Sequence, residues 1–177
     1  MTARDKYKAE ETPHSVSLQP YYHLRKSLFW FFIAMVAVSA GLFFFYHQLG
    51  EGGRVLGYSV LVYLFLHGLY DFIFRLNVRY VFDKPGNAVY KINTPFPKKR
   101  LMALDELVIF TSSDQGGWHY AMGAKKKQFI KNYAISEDFG SGKRSQRLLG
   151  AYEAEVLEPI LRISATSPAD GTYTPAG

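Results

Sequence analysis

An uncharged apolar run between residues 28 and 46 constrains this chain more than any other feature of its sequence. The run, Leu28 to Tyr46, reads LFWFFIAMVAVSAGLFFFY and contains no charged side chain. At a rise of about 1.5 Å per residue, a helix of this length covers roughly the 30 Å hydrocarbon core of a bilayer. A core helix of a soluble protein would carry a polar face, so the run predicts a transmembrane helix.

A second apolar run, Val55 to Leu76, predicts a second span. It contains His67, Asp71 and Arg75, of which the last two lie near one end, where the headgroup region begins. The connection, residues 47–54, is short and glycine-rich, so the two helices form an antiparallel hairpin. A cleavable signal peptide is a poorer interpretation of the first run, which lies inside the chain and ends in aromatic rather than small residues.

Basic residues set the orientation of this hairpin. Five lysines and arginines precede the first span, three lie at the end of the second or follow it by residue 84 (Arg75, Arg79 and Lys84), and the connecting loop has one. Because positive charge favours the cytoplasmic side, both termini are predicted to be cytoplasmic in a multi-pass protein of a bacterial inner (plasma) membrane. The formal net charge of +6 also suits an anionic surface such as a membrane leaflet.

Beyond Arg75 the pattern changes to short runs rich in β-branched and aromatic residues. The segments NVRYVFD and AVYKIN flank KPGN, which predicts a β-hairpin. TPFPKK, residues 94–99, is predicted to be a loop, and Leu107–Phe110 is the densest later strand. Five or more strands at this spacing favour an antiparallel sheet or a small barrel.

One helix is predicted to close this sheet. From Arg144 to Ile163, apolar residues recur at helical spacing, and Pro159 is expected to bend the helix or to end its regular part. The fold class is therefore a membrane α-helical hairpin plus an α+β domain. Four parts follow: a polar, unpatterned N-terminal cytoplasmic segment (1–26), the hairpin (27–76), a cytoplasmic β-domain with its helix (77–163) and a disordered tail (164–177).

Two segments carry a resemblance to a known family. In YVFDKPGNAVYK, Tyr80–Lys91, an aspartate ends a strand before a tight turn, and in PKKRLMALDELVIF, residues 97–110, basic residues precede an acidic position and a strand. With the order of hairpin, antiparallel meander and closing helix, the chain resembles bacterial pleckstrin-homology-like (PH-like) membrane proteins. Photosystem I assembly factors with two N-terminal spans have a similar layout. The resemblance implies a scaffold or binding module, since that fold is not known mainly for catalysis.

The second span contains a candidate site of polar side chains. Steps of three and four residues place Tyr63, His67 and Asp71 on one helical face, and Arg75 lies one turn beyond. Ionisable groups inside a membrane indicate function by default. The structural alternative is that Asp71 pairs with Arg75, while His67 bonds to another subunit or to the first helix near Met35 or Ser39. A proton or ion role stays open, although one hairpin supplies few polar groups to line a path.

Three basic clusters are candidate contacts for anionic lipid headgroups or for a partner. All fall in predicted loops or element ends, and their members are Lys98, Lys99 and Arg100; Lys125, Lys126 and Lys127; and Lys143 and Arg144. Near an anionic leaflet each such charge contributes roughly 1 kcal/mol. The alternative is that these are solubilising turns.

The run FGSGKRS around Lys143 is not a Walker motif. Glu137 stands where the first glycine is required, and Arg144 replaces the Ser or Thr that follows the lysine. A connection between a strand and a helix is the predicted role. The segment SSDQGGWHY, residues 112–120, is better explained as a hairpin tip than as a catalytic triad.

No catalytic, metal, cofactor or nucleic-acid site is predicted. The chain has no cysteine, and its five histidines lack ligand spacing; its aromatic residues alternate within strands as core residues do, rather than as stacking platforms. The sequence predicts a non-catalytic accessory or assembly subunit that binds a membrane protein complex. The alternative is an immunity or regulatory protein that binds a toxin or enzyme in the membrane, and self-association stays open.

Overall fold

The computed structural model describes residues 2–114, 117–125 and 131–165. Two long helices form an antiparallel hairpin: α2 (Leu24–Phe45) and α3 (Glu51–Tyr70), which continues as a π-helical segment (Asp71–Leu76). Both are long and apolar enough to cross a membrane, and only 6% of each apolar window is buried. A core helix of a soluble protein would be mostly buried, so the exposure of both helices favours the predicted hairpin over that interpretation.

The two helices approach closely where α3 has a glycine. A Cβ atom added at Gly57 would lie 2.5 Å from Leu42 Cδ2, which is far inside van der Waals contact. Leu42 is correspondingly buried while most of its neighbours on α2 are exposed. Small residues are typical of close helix contacts in membranes, and this one fixes the register of the hairpin.

The β-rich part contains two antiparallel sheets. The first has the order β1-β2-β3-β4-β5, and the second has the order β6-β7-β8. Strand bounds are as follows: β1 Glu10–Glu11, β2 Ser15–Leu18, β3 Val78–Asp83, β4 Ala88–Asn93, β5 Phe96–Met102, β6 Leu107–Asp114, β7 Gly117–Ala124 and β8 Tyr133–Ala134. The antiparallel sheet and the hairpin across KPGN are confirmed, whereas the described residues do not close into the barrel that was the alternative.

The N-terminal segment, to which the sequence pattern assigned no element, is part of this folded domain. Helix α1 (Ala3–Tyr7) precedes β1 and β2, and β2 pairs with β3 from Ser15 opposite Asp83 to Leu18 opposite Tyr80. Tyr7 is only 1% exposed. The pattern missed these elements because the strands are short and their partner lies beyond the whole hairpin in sequence.

A helical segment at the C-terminus packs against both sheets. It comprises α4 (Lys143–Tyr152), a second π-helical stretch (Glu153–Leu157) and α5 (Glu158–Ala165). Pro159 lacks an N–H and would clash with the carbonyl of Glu155 in a regular helix. The wider π-helical turn before it relieves this clash, so the helix continues through Pro159 and does not end there. Arg4 Nε donates to that carbonyl at 3.4 Å. Of the predicted tail, residues 166–177 lie outside the described residues.

The core lies between this helical segment and the inner faces of the two sheets. Tyr152 is fully buried, its hydroxyl donates to Ile135 O at 3.0 Å, and its ring lies 4.9 Å from that of Tyr7. Burial raises the pKa of Tyr152 well above its ordinary value. The N-terminal segment and the C-terminal helix therefore stabilise each other through this aromatic contact and through the hydrogen bonds of Arg4 with Glu155.

Candidate functional site

The predicted polar residues of the second span form a column along one side of α3. The ring of Tyr63 stacks on that of His67, with centroids 5.7 Å apart. His67 Nε2 lies 3.7 Å from Asp71 Oδ2, and Arg75 Nη1 lies 3.3 Å from Asp71 Oδ1. Each contact joins residues four apart, as one helical face requires.

The contact of His67 with the first helix differs from the prediction. Its ring lies 5.1 Å from that of Phe31, which is one helical turn before Met35. The reason is the helix boundary: α3 begins at Glu51 rather than at Val55, so the pairing between the helices shifts by about one turn. The side chain of Phe31 has no hydrogen-bonding group. The contact of His67 with the first helix is therefore a contact between rings and not the predicted hydrogen bond.

Asp71 connects the hairpin to the folded domain. Its side chain is almost fully buried at the start of the π-helical segment, and the guanidinium of its partner Arg75 lies 5.2 Å from the ring centroid of Tyr21. Burial raises the pKa of Tyr21, and Arg75 acts in the opposite direction. The junction (Asp71, Arg75 and Tyr21) therefore joins the end of the second long helix to the segment that precedes the first.

The first basic cluster lies on a strand, which corrects the predicted loop. Lys98, Lys99 and Arg100 are exposed on β5, an edge strand of the five-stranded sheet. The two nearby prolines suggested a loop, but an edge strand tolerates proline because its outward N–H groups need no partner. Register shifts interrupt the pairing of β5 with β4, and bulges, lysine and proline together discourage addition of another strand.

This strand begins beside the end of the second long helix. The ring of Phe96 on β5 stacks on that of Phe74 in the π-helical segment, with centroids 5.7 Å apart. The Lys98 ammonium lies 3.7 Å from the ring centroid of Tyr90, and Arg100 Nη2 donates to Asn87 O at 3.2 Å. The start of β5 is therefore held at the base of the hairpin, and the strand carries the cluster from there toward the turn between β3 and β4.

The other two clusters lie on different elements. Lys125 follows β7 and its backbone N–H donates to Glu106 O at 2.9 Å, while Lys126 and Lys127 lie outside the described residues. Lys143 and Arg144 open α4 and are exposed. The FGSGKRS run is a connection into this helix, as predicted, and Ser145 Oγ accepts from Gly140 N–H at 2.8 Å.

A serine, a histidine and an aspartate meet near the β6–β7 hairpin, although not as the sequence segment suggested. Ser112 lies opposite His119 across the two strands, and His119 Nδ1 lies 2.9 Å from Asp138 Oδ1. Asp138 is far along the chain, so no local motif could have found it. Ser112 and His119 form no hydrogen bond in the described part of the chain, so the contact that activates a serine nucleophile is not made.

Comparison of the chain with family models, curated proteins and solved structures gives no match.

Proposed function

We propose that this protein is a non-catalytic accessory or assembly subunit that binds another membrane protein through its helical hairpin. The observation that carries the proposal is the polar edge formed by Tyr63 and His67. Tyr63 lies at the middle of the apolar helix Glu51–Leu76, it is exposed, and its hydroxyl has no hydrogen-bond partner among the described residues. The His67 side chain is 39% exposed.

These exposed polar groups are costly in hydrocarbon. No water is present there to satisfy a phenol or an imidazole, so polar side chains of membrane helices are generally turned toward other protein. A helix of a partner protein that offers hydrogen-bond groups to Tyr63 and His67 would remove this cost. Burial of both groups against a partner therefore accounts for their presence better than exposure to lipid.

A second feature of the hairpin supports the same proposal. An open groove of about 790 Å³ runs between α2 and α3, and its lining is apolar except for one hydroxyl. Residues of α2 in the groove include Ser39 and Ala40, and those of α3 include Leu61 and Phe65. Ser39 and Ala40 leave room between larger apolar side chains of the lining, so this groove suits an apolar helix of a partner protein.

The cytoplasmic position of the β-rich domain and its contact with anionic lipid are part of the proposal. The supporting observations are the exposed basic run of β5, a strand that begins beside Phe74 at the base of the hairpin, and the excess of basic residues outside the hairpin loop. A surface of this kind would orient the domain on the leaflet, with its free faces directed toward a partner.

The proposal is tested by purifying the full chain in mild detergent and identifying the co-purifying proteins. A defined membrane protein is expected with the wild type and is expected to be lost from the double variant Tyr63→Phe, His67→Leu. Tyr58→Phe, which removes an exposed phenol elsewhere on α3, is the matched control and should retain the partner. A monomer without a companion would contradict the proposal.

The same experiment separates the alternatives. A subunit of a larger membrane complex among the co-purifying proteins supports the accessory role, whereas a toxin or a single enzyme supports the immunity or regulatory role. A proton or ion role predicts instead that His67→Leu abolishes proton flux into liposomes that contain the protein alone.

A further inference from the structure

Two lysines face each other on the inner side of the five-stranded sheet. The buried side chains of β3 define this side, and Tyr80 on β3 lies opposite Lys91 on β4. Lys91 in turn lies opposite Lys99 on β5. Directly opposed residues share a face and have Cβ atoms about 5 Å apart. Lys91 and Lys99 are therefore neighbours on the core-facing side of the sheet, at its β5 edge.

Three phenol groups lie beside these lysines. Tyr80 is 3% exposed, and its ring centroid lies 6.2 Å from that of Tyr133 on β8. Burial raises the pKa of Tyr80 above its ordinary value, and the neighbouring Tyr21 and Tyr133 raise it further. Burial also raises the pKa of Tyr133, while Lys99 lowers it.

Several of these groups lack hydrogen-bond partners. Within the described ranges, the hydroxyls of Tyr21, Tyr80 and Tyr133 form no hydrogen bond. Asn93 lies on the same face as Lys91, two residues along β4; it is 7% exposed, and its Oδ1 atom is buried without a partner. Buried polar groups in folded proteins are nearly always satisfied, so the buried Asn93 Oδ1 atom points to a ligand that is not part of the chain.

We propose that this cleft binds a phosphate ester that carries a free hydroxyl group. We call it the phenolic cleft and define it by Tyr21, Tyr80, Lys91, Asn93, Lys99 and Tyr133. The ammonium and phenol groups donate to phosphate oxygens, and the hydroxyl of the ligand donates to Asn93 Oδ1. The phosphate also removes the repulsion between Lys91 and Lys99.

The position of the cleft allows two sources of this chemistry. Asn93 lies opposite Val78, the first strand residue after the π-helical segment, so the cleft opens near the base of the hairpin. A glycerol phosphate headgroup of a lipid and a soluble glycerol phosphate both have the required groups. The inference goes beyond the proposed function, because it requires no partner protein.

The test measures the unfolding temperature of the full chain in nanodiscs, because a ligand that binds only the folded state raises it. One arm adds soluble glycerol phosphate to phosphatidylcholine nanodiscs, and the other uses nanodiscs of equimolar phosphatidylcholine and phosphatidylglycerol. A rise in the first arm assigns the cleft to a soluble ligand. A rise only in the second arm assigns it to lipid when the Lys91→Gln, Lys99→Gln variant loses that rise, because the basic run of β5 also attracts anionic lipid. No rise in either arm would overturn the proposal.

Two double variants locate the binding site. Lys91→Gln with Lys99→Gln should weaken the affinity for glycerol phosphate or lipid at least about tenfold, because charge-assisted hydrogen bonds are lost. Lys98→Gln with Arg100→Gln removes the same charge from the opposite face of β5 and should leave the affinity for soluble glycerol phosphate within about twofold. In anionic nanodiscs this variant also loses charges that the proposed leaflet contact uses, so its loss of affinity there should be smaller than that of the Lys91–Lys99 variant but not zero. Equal losses in the two variants would show general attraction to basic charge and would overturn the proposal.

A third variant tests the role of the hydroxyl group of the ligand. The wild type should bind glycerol phosphate more tightly than methyl phosphate, and Asn93→Leu should bind the two equally. Lys91→Arg with Lys99→Arg, which keeps both charges, should retain binding and thereby separate loss of binding from loss of folding. Equal binding of both phosphates by the wild type would contradict the assignment of Asn93.

Discussion

Lys91 and Lys99 occupy opposed positions in which like charges reduce stability. Natural strands usually place opposite charges, aromatic rings or β-branched side chains in such pairs. Lys98, one residue from Lys99 but on the other face, instead lies over the ring of Tyr90. The two neighbouring lysines thus have opposite expected effects on stability, although both are surface lysines of one edge strand.

Replacing Lys99 with threonine is expected to stabilise the ligand-free protein. Loss of the repulsion and the strand preference of threonine should raise the free energy of unfolding by about 0.2–1 kcal/mol. The matched variant Lys98→Thr loses its cation–π contact and should lower it by about 0.5–1 kcal/mol. Denaturant unfolding in phosphate-free detergent solution measures both changes. A lower free energy of unfolding for Lys99→Thr would show that repulsion between Lys91 and Lys99 does not destabilise the wild type.

The elements of this fold differ in how far local sequence determines them. The two apolar helices, the KPGN hairpin and the strand around Leu107–Phe110 were all predictable, since each depends on composition or on adjacent residues. The pair Asp71–Arg75 followed from helical spacing alone. The contact between Phe31 and His67 did not, because a register between helices depends on where each begins.

Other elements depend on contacts that no local pattern contains. The short strand β2 exists through its pairing with β3, and Pro97 stays in a strand because β5 is at an edge. Likewise, the pair His119–Asp138 and the phenolic cleft gather residues from distant segments. Candidate sites of this chain were therefore predictable where one helix forms them and not where the sheets do.

The contact between α1 and the C-terminal helix predicts a large effect at Tyr7. Tyr7→Ala removes a buried ring from its contact with Tyr152 and should lower the free energy of unfolding by about 3–5 kcal/mol. His14→Ala, at an exposed position of the same N-terminal segment, should change it by less than about 0.5 kcal/mol. Thermal or denaturant unfolding measures both changes. A small loss of unfolding free energy in Tyr7→Ala would mean that the N-terminal segment contributes little to the stability of the domain.

At the scale of the whole molecule, the sheet restricts the topology independently of charge. Strand β2 precedes the hairpin in sequence and β3 follows it, yet the two pair from Ser15 opposite Asp83 onward. If α2 and α3 cross the membrane, the segments before and after them must lie on one side. The basic residues then favour the cytoplasm as that side, and the two arguments use different parts of the chain.

Single cysteines can test this topology directly, because the chain has none of its own. Gly52→Cys places a thiol in the first turn of α3, at the tip of the hairpin, where an added Cβ meets nothing within 4 Å, and Ser141→Cys places one on the exposed connection before α4. In spheroplasts, a membrane-impermeant maleimide is expected to label Gly52→Cys at once and Ser141→Cys only after permeabilisation.

Leu66→Cys, exposed on α3 in the apolar stretch, is the control for burial in lipid and should stay unlabelled in both conditions, since a thiol in hydrocarbon does not form the reactive thiolate. Labelling of Ser141→Cys in intact spheroplasts would place the folded domain outside the cell. Labelling of Gly52→Cys and Ser141→Cys from the same side would mean that the hairpin does not cross the bilayer, and the case for a partner helix at Tyr63 and His67 would then be lost with it.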